Sequence, residues 1–259
     1  MILTILGCSG SVPGPGGPAS GYLVRAGATR LVLDFGNGVL SALSAHCDPL
    51  SLDAALLSHL HPDHCADMTA LAVLRRYGPP PRPDAPLPVH APSEAASRLA
   101  AAYAPSAAEL AETDLSDVFA FHPLTPTTVR IGECSVTAAR VNHPCEAFGF
   151  RVEHEGAVLA YTGDTAACDA VVELARGADV LLSEATWPDL PDLPRDLHLS
   201  GREAGELAAA AGVRKLVLTH IAPWYDAHAV LAEARAAFAG PVELAAPGAE
   251  HHVGPATSA

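Results

Sequence analysis

The apolar run Ala54-Ala55-Leu56-Leu57 ends in Ser58-His59-Leu60-His61-Pro62-Asp63-His64, so three imidazoles and a carboxylate crowd into one short segment. Few structural roles need that density. Neutral imidazole and carboxylate oxygen are the ligands that suit Zn²⁺, with Mn²⁺ or Fe²⁺ taken up where oxygen ligands dominate. Side chains alternate along extended backbone, so His59 and His61 project to one side, and a following turn brings Asp63 and His64 to a second ion nearby. A chain that keeps this cluster must end a buried strand at a cleft and start a helix beyond it; the pattern predicts that strand over 53–58 and the helix over 66–77.

The surrounding sequence predicts the layers that carry the cleft. Residues 2–6, 22–25 and 30–34 read as short strands of a meander, interrupted by a Gly/Pro/Ser-rich loop over 7–21. Helical spacing follows over 38–45 and 94–103, with a Pro-rich stretch over 79–88 between. Strands over 118–121, 135–141, 147–152 and 157–161 then form a run best gathered into a second sheet. From residue 167 helix and strand alternate: helices over 168–176, 202–211 and 227–238, strands over 180–183 and 215–219. Two mixed sheets flanked by helices, an αββα sandwich of α/β class, bury the strands on their inner faces and one stripe of each helix. The whole chain, 1–259, reads as one such domain, with 248–259 a loose tail whose His251 and His252 are solvated.

Composition narrows the partners. Hydrophobic residues make up 49% of the chain, enough for a sizeable core, and 29 acidic against 15 basic side chains give a formal charge of −14. Long nucleic acid is then a poor partner, because backbone binding relies on clustered Lys and Arg that release counterions. A small anion drawn to local metal charge stays compatible. The opening residues carry no basic n-region, and no stretch reaches the ~18 apolar residues of a membrane span, so a cytoplasmic protein without a membrane partner is expected. Six cysteines, Cys8, Cys47, Cys65, Cys134, Cys145 and Cys168, show no Cys-x-x-Cys pairing and read as buried free thiols.

The segment 59–64 carries in full the His-x-His-x-Asp-His signature, and here the chain resembles the metallo-β-lactamase superfamily. Asp34 in Leu-Val-Leu-Asp-Phe-Gly, His143 in Val-Asn-His-Pro, Asp164 in Tyr-Thr-Gly-Asp-Thr and His220 in Leu-Thr-His-Ile match its remaining motifs in order. Taken alone, His143 and His220 read as ordinary core or surface histidines as readily as ligands delivered into a cleft by a strand end. The resemblance implies that His59, His61 and His143 hold one divalent metal ion, that Asp63, His64 and His220 hold a second, and that Asp164 bridges them while Asp34 orients a ligand from behind. Zn²⁺ is the expected metal. The position of Asp164 offers no sulfur, which argues against a β-lactamase; Cys168 reads as a helix-packing thiol.

Glu184 in Leu-Leu-Ser-Glu-Ala-Thr and His198 in Asp-Leu-His-Leu-Ser-Gly resemble the pair that marks the ribonuclease Z branch, which narrows the implied chemistry to phosphodiesters. A glutamate against imidazole favours the charged ring, which can protonate an alkoxide leaving group. The chain departs from ribonuclease Z in the short segment 144–163, where that enzyme carries an arm for tRNA, and in His-Leu-Ser-Gly where His-Ser-Thr is expected. Longer phrases, Leu-Gly-Cys-Ser-Gly-Ser-Val at 6–12 and Asp-Leu-His-Leu-Ser-Gly at 196–201 among them, look like the actinobacterial cyclic-nucleotide phosphodiesterases of atypical class II. That likeness implies hydrolysis of a small anionic phosphodiester such as 3′,5′-cAMP to the monophosphate by a hydroxide held between two metals, with Asp63, His198 and Glu184 in the catalytic set. It also implies a homodimer, as relatives often form. Trp187, Trp224 and Tyr225 are candidate walls for a base, with lid or core packing the slightly favoured reading, and Ser9 or Ser11 could meet phosphate from the opening loop. Competing classes are a ribonuclease Z-like tRNA endonuclease, a glyoxalase II-like thioesterase or lactonase, and a non-catalytic metal-binding sensor.

Overall fold

The computed structural model describes residues 1–254 and gathers fourteen strands into two seven-stranded sheets. In the first half β1 (Ile2–Gly7), β2 (Gly21–Ala26) and β3 (Thr29–Phe35) form an antiparallel meander. Parallel strands β4 (Ala54–Leu56), β5 (Leu87–Ala91) and β6 (Phe119–Pro123) extend it. Helices α1 (Val39–Ser44), α2 (Pro62–Cys65), α3 (Met68–Tyr77) and α4 (Ala95–Tyr103) belong to this half. The second half repeats the plan: β7 (Thr128–Ile131), β8 (Cys134–Arg140), β9 (Phe148–His154) and β10 (Ala157–Tyr161) are antiparallel, and β11 (Val180–Glu184), β12 (Leu216–Thr219) and β13 (Val242–Leu244) continue in parallel. Its helices are α5 (Asp169–Ala175), α6 (Gly201–Ala211) and α7 (Ala227–Ala237), and β14 (Glu250–His252) crosses back to pair with β1.

Strands in the middle layers are apolar on both faces because both faces are covered. In β3, Leu31 and Leu33 face the other sheet while Val32 and Phe35 pack under the helices of the first half. In β12, Val217 joins the core between the sheets while Leu216 and Leu218 pack beneath the helices of the second. The αββα sandwich is therefore the fold. Two glycines permit close approaches near the cleft. A Cβ on Gly36 would stand 2.0 Å from the Asp63 carbonyl oxygen, and one on Gly10 would stand 2.2 Å from that of His220.

Several expectations need correction. The strand expected over 118–121 lies in the first sheet, not the second, because β6 pairs in parallel with β5. Strand β5 was hidden in the Pro-rich stretch: Pro88, which lacks a backbone donor, sits inside it. Nor is the tail loose throughout, since β14 pairs with Ile2, Leu3 and Thr4. His251 is buried there, with Lys215 Nζ at 3.2 Å, and only His252 of that pair is exposed. The part of that expectation covering 255–259 lies outside the described residues. All six cysteines are free, but only Cys65 and Cys134 are buried; the other four are half-buried. Among the described residues no helix is long and apolar enough to cross a membrane.

Candidate metal centre

Four of the expected side chains leave the carboxyl ends of strands, where α/β sheets open their crevices. His59 follows β4, Asp164 follows β10, Glu184 ends β11 and His220 follows β12, while His143 comes from the turn after β8. Short helix α2, with Pro62 at its first position, carries Asp63 and His64 inward. The cluster resolves into three donor sets, each within 4.8 Å: His59, His61, His143 and Asp164 in one, Asp63, His64 and His220 in another, and Asp164, His198 and His220 in an overlapping third. Asp164 stands between the first two. Its Oδ2 lies 3.6 Å from His59 Nε2 and 3.4 Å from His220 Nε2, and its Oδ1 lies 3.3 Å from His64 Nε2. His61 is exposed at the mouth and His198 is half-buried, whereas the other donors are buried.

Two buried carboxylates set the ring orientations. Asp34, fully buried at the end of β3, accepts from Ser58 N at 2.6 Å, Ser58 Oγ at 2.8 Å, His64 Nδ1 at 2.7 Å and Tyr161 Oη at 2.6 Å. A hydroxyl has one hydrogen, and that of Ser58 goes to Asp34, so Ser58 Oγ must accept from His59 Nδ1 at 3.1 Å. The His59 Nε2 lone pair is thereby turned to the cluster. Glu184, equally buried, accepts from His198 Nδ1 at 2.9 Å, Thr165 N at 2.6 Å, Leu199 N at 3.2 Å and Thr186 Oγ1 at 2.8 Å. The same count makes Thr186 Oγ1 accept from His220 Nδ1 at 2.9 Å, freeing His220 Nε2 for the cluster. His143 donates from Nδ1 to the Leu197 carbonyl at 3.0 Å.

This donor set fits divalent cations. His64 Nε2 and Asp164 Oδ1 are buried and have no hydrogen-bond partner among the described residues, a loss that a cation between them would remove. Lone-pair nitrogens also converge: His59 Nε2 lies 2.9 Å and His143 Nε2 3.4 Å from His61 Nδ1. The field has the sign a cation needs. Burial and the neighbouring His64 ring hold His59 below the usual histidine range, so its ring is neutral. Burial opposes charge on His64, but Asp164 and Asp34 outweigh it and hold its pKa well above the ordinary value. Burial raises Asp63 and Asp164, yet the imidazoles around them win and keep both carboxyls well below the usual range.

His198, which belongs only to the overlapping third set, differs from the other donors in its wiring. Its Nδ1 is committed to Glu184 and lies 3.9 Å from Asp164 Oδ2, and its other nitrogen has no hydrogen-bond partner among the described residues. Burial lowers its pKa, but the Glu184 carboxylate and Asp164 reverse this and push it up to about 9. Trp187 packs edge-on against this ring, with centroids 5.0 Å apart. The other two aromatic candidates stand apart: Trp224 is 61% exposed and Tyr225 tilts against it. In the opening loop Ser9 uses its hydroxyl on the Val12 carbonyl at 2.7 Å, and Gly10 N bonds the Ile221 carbonyl, so this loop braces the backbone beside His220. Ser11 is exposed. Sequence reasoning missed Ser58, Tyr161, Thr186 and the Leu197 carbonyl; Thr186, two residues after Glu184 in extended backbone, was the one with a readable spacing.

The sequence profile of the β-lactamase superfamily domain matches residues 29–221. The chain is 53% identical over 243 residues to the uncharacterized protein Rv1339 of Mycobacterium tuberculosis, covering 93% of this chain and 88% of that one. It is 31% identical over 252 residues to ribonuclease Z of Mycobacterium bovis, covering 85% and 86%. The crystal structure of the metallo-β-lactamase fold protein YhfI from Bacillus subtilis superposes with a TM-score of 0.83 at 26% identity, covering 97% of this chain and 99% of that one.

Proposed function

The chain belongs to the metallo-β-lactamase superfamily and is related within it to ribonuclease Z, and from that premise we propose that it is a dinuclear phosphodiesterase acting on a small cyclic nucleotide of the 3′,5′-cAMP kind. The observation that carries this reading is the Glu184 and His198 pair, which stands beside the donor cluster without belonging to its two main sets. Two divalent cations, Zn²⁺ in first place, would supply Lewis acidity to water and to the phosphate oxygens. His59, His61 and His143 would hold one, Asp63, His64 and His220 the other, with Asp164 shared.

The chain's own groups account for the rest. His198, kept charged by Glu184, gives its proton to the leaving oxygen, and a positioned acid of this kind contributes roughly 10²–10⁴ in rate. In a 3′,5′-cyclic phosphate the P–O3′ bond breaks as the oxygen of water joins phosphorus and O3′ takes that proton; one proton of the water then returns to His198 and the other stays on the new phosphate oxygen. The product is the 5′-monophosphate. A tRNA substrate is disfavoured by the −14 charge and by the segment after His143, which is spent on the β9–β10 hairpin.

Protein reloaded with Zn²⁺ or Mn²⁺ should convert 3′,5′-cAMP to AMP in preference to 2′,3′-cAMP, a tRNA precursor or a glutathione thioester at matched concentrations. Thioester cleavage alone would keep the metal site and remove the phosphodiesterase.

A further inference from the structure

Beside His198 lies a cavity of about 420 Å³ whose walls include Trp187, Leu190, Leu193 and Arg195. Its outer wall is the strap between Trp187 and His198, in which Pro188-Asp189-Leu190 is repeated as Pro191-Asp192-Leu193. The next unit, Pro194-Arg195, puts a guanidinium where the repeat has a carboxylate. The strap is pinned at several points: Trp187 bridges Ser200, Asp196 Oδ1 accepts from Asn142 Nδ2 at 3.1 Å, and the Leu197 carbonyl holds His143. It is thus attached to the metal cluster at one end and walls a pocket of small-molecule size.

The charges lining this cavity are unequal. Asp189 is paired with Arg202 at 2.7 Å, Glu203 is spent in the capping box with Ser200, and Asp196 is held by Asn142. Arg195 is exposed and has no ion pair or side-chain hydrogen bond among the described residues. In a chain with 15 basic side chains against 29 acidic ones, an uncommitted guanidinium next to the acid-base pair is a binding group without a partner.

We infer that this cavity takes the nucleoside half of the substrate, with Trp187 and the strap leucines as walls and Arg195 donating to acceptor atoms of the base. The inference rests on the phosphodiesterase reading, and follows from where the proton goes. His198 must face the leaving oxygen, O3′ belongs to the ribose that bears the base, and the cavity opens on the His198 side. A planar fork of donors suits the acceptor edge of a purine.

Binding to the zinc-loaded protein tests this without turnover. Titration with inorganic phosphate, ribose 5-phosphate and 5′-AMP should show AMP binding at least ~10-fold tighter than ribose 5-phosphate, and Arg195→Ala should remove about tenfold of the AMP affinity while leaving phosphate unchanged. Equal affinities for AMP and ribose 5-phosphate, an unchanged AMP affinity in Arg195→Ala, or an equal loss for phosphate and AMP would each overturn it. If the wild-type protein cleaves no phosphodiester while AMP still binds tighter than ribose 5-phosphate, the phosphodiesterase falls and the nucleoside site stands.

Discussion

Asp34 in the first half and Glu184 in the second are built alike: each is a fully buried carboxylate that grips one imidazole directly and a second through a hydroxyl. The ring held directly by Asp34 is His64, whose Nε2 is sealed in the interior and has no hydrogen-bond partner among the described residues. The ring held directly by Glu184 is His198, which opens on a cavity. On the function proposed above, one arrangement faces the place of a cation and the other the place of the substrate. Under that proposal identical wiring serves as ligand support or as acid control according to what the far nitrogen meets, so the carboxylate contact alone does not assign the role of a histidine.

Asp164, which both arrangements face, gives the largest expected effect. Asp164→Ala should lose at least one of two bound zinc ions and at least ~10³-fold in turnover, read by metal analysis beside kcat. Full activity in a metal-replete Asp164→Ala protein would remove the shared ligand from the account. The asymmetry between the halves is tested next: His198→Ala should keep both ions while kcat falls about 10²–10³-fold, whereas His64→Ala should fail to retain the second ion. Loss of zinc from His198→Ala would make that ring a ligand and erase the contrast.

The hydroxyl relays should be alike where the directly held rings differ. Thr186→Val and Ser58→Ala should each weaken zinc binding by about 10–100-fold, measured by competition with a chelating dye, and Thr186→Ser should restore it. A weakening that Thr186→Ser does not repair would mean packing rather than the hydrogen bond sets His220. Smallest is Tyr161→Phe. It takes one of four donors from Asp34 and should cost about 1 kcal/mol in urea unfolding, with zinc affinity nearly unchanged.

The legibility of these parts follows their spacing along the chain. His59, His61, Asp63 and His64 announce themselves because one loop carries them, whereas His143, Asp164 and His220 acquire meaning only as an ordered set matching a known family. Ser58 and Thr186 work through contacts that close after folding: Thr186 reaches His220 across the gap between the ends of β11 and β12. Tyr161 carries no local sign of its role, since its hydroxyl crosses from one sheet to the other. In the fold, apolar runs covered on both faces were readable. Strand β5 was masked by Pro88, and β14 was too polar and short to suggest the pairing it makes with β1.

Asp34 and His220 share one further property: both are non-glycine residues with a left-handed backbone, at φ 57° and 56°. Such a conformation costs an ordinary residue roughly 1–2 kcal/mol. Glycine at either position would relax the chain, and at either position it would discard a side chain the cleft depends on. At 34 that relief is the smaller quantity, because Asp34→Gly would strand four buried donors from Ser58, His64 and Tyr161 at a cost of roughly 1–3 kcal/mol each, so the strained backbone is held in place by the bonds its side chain collects.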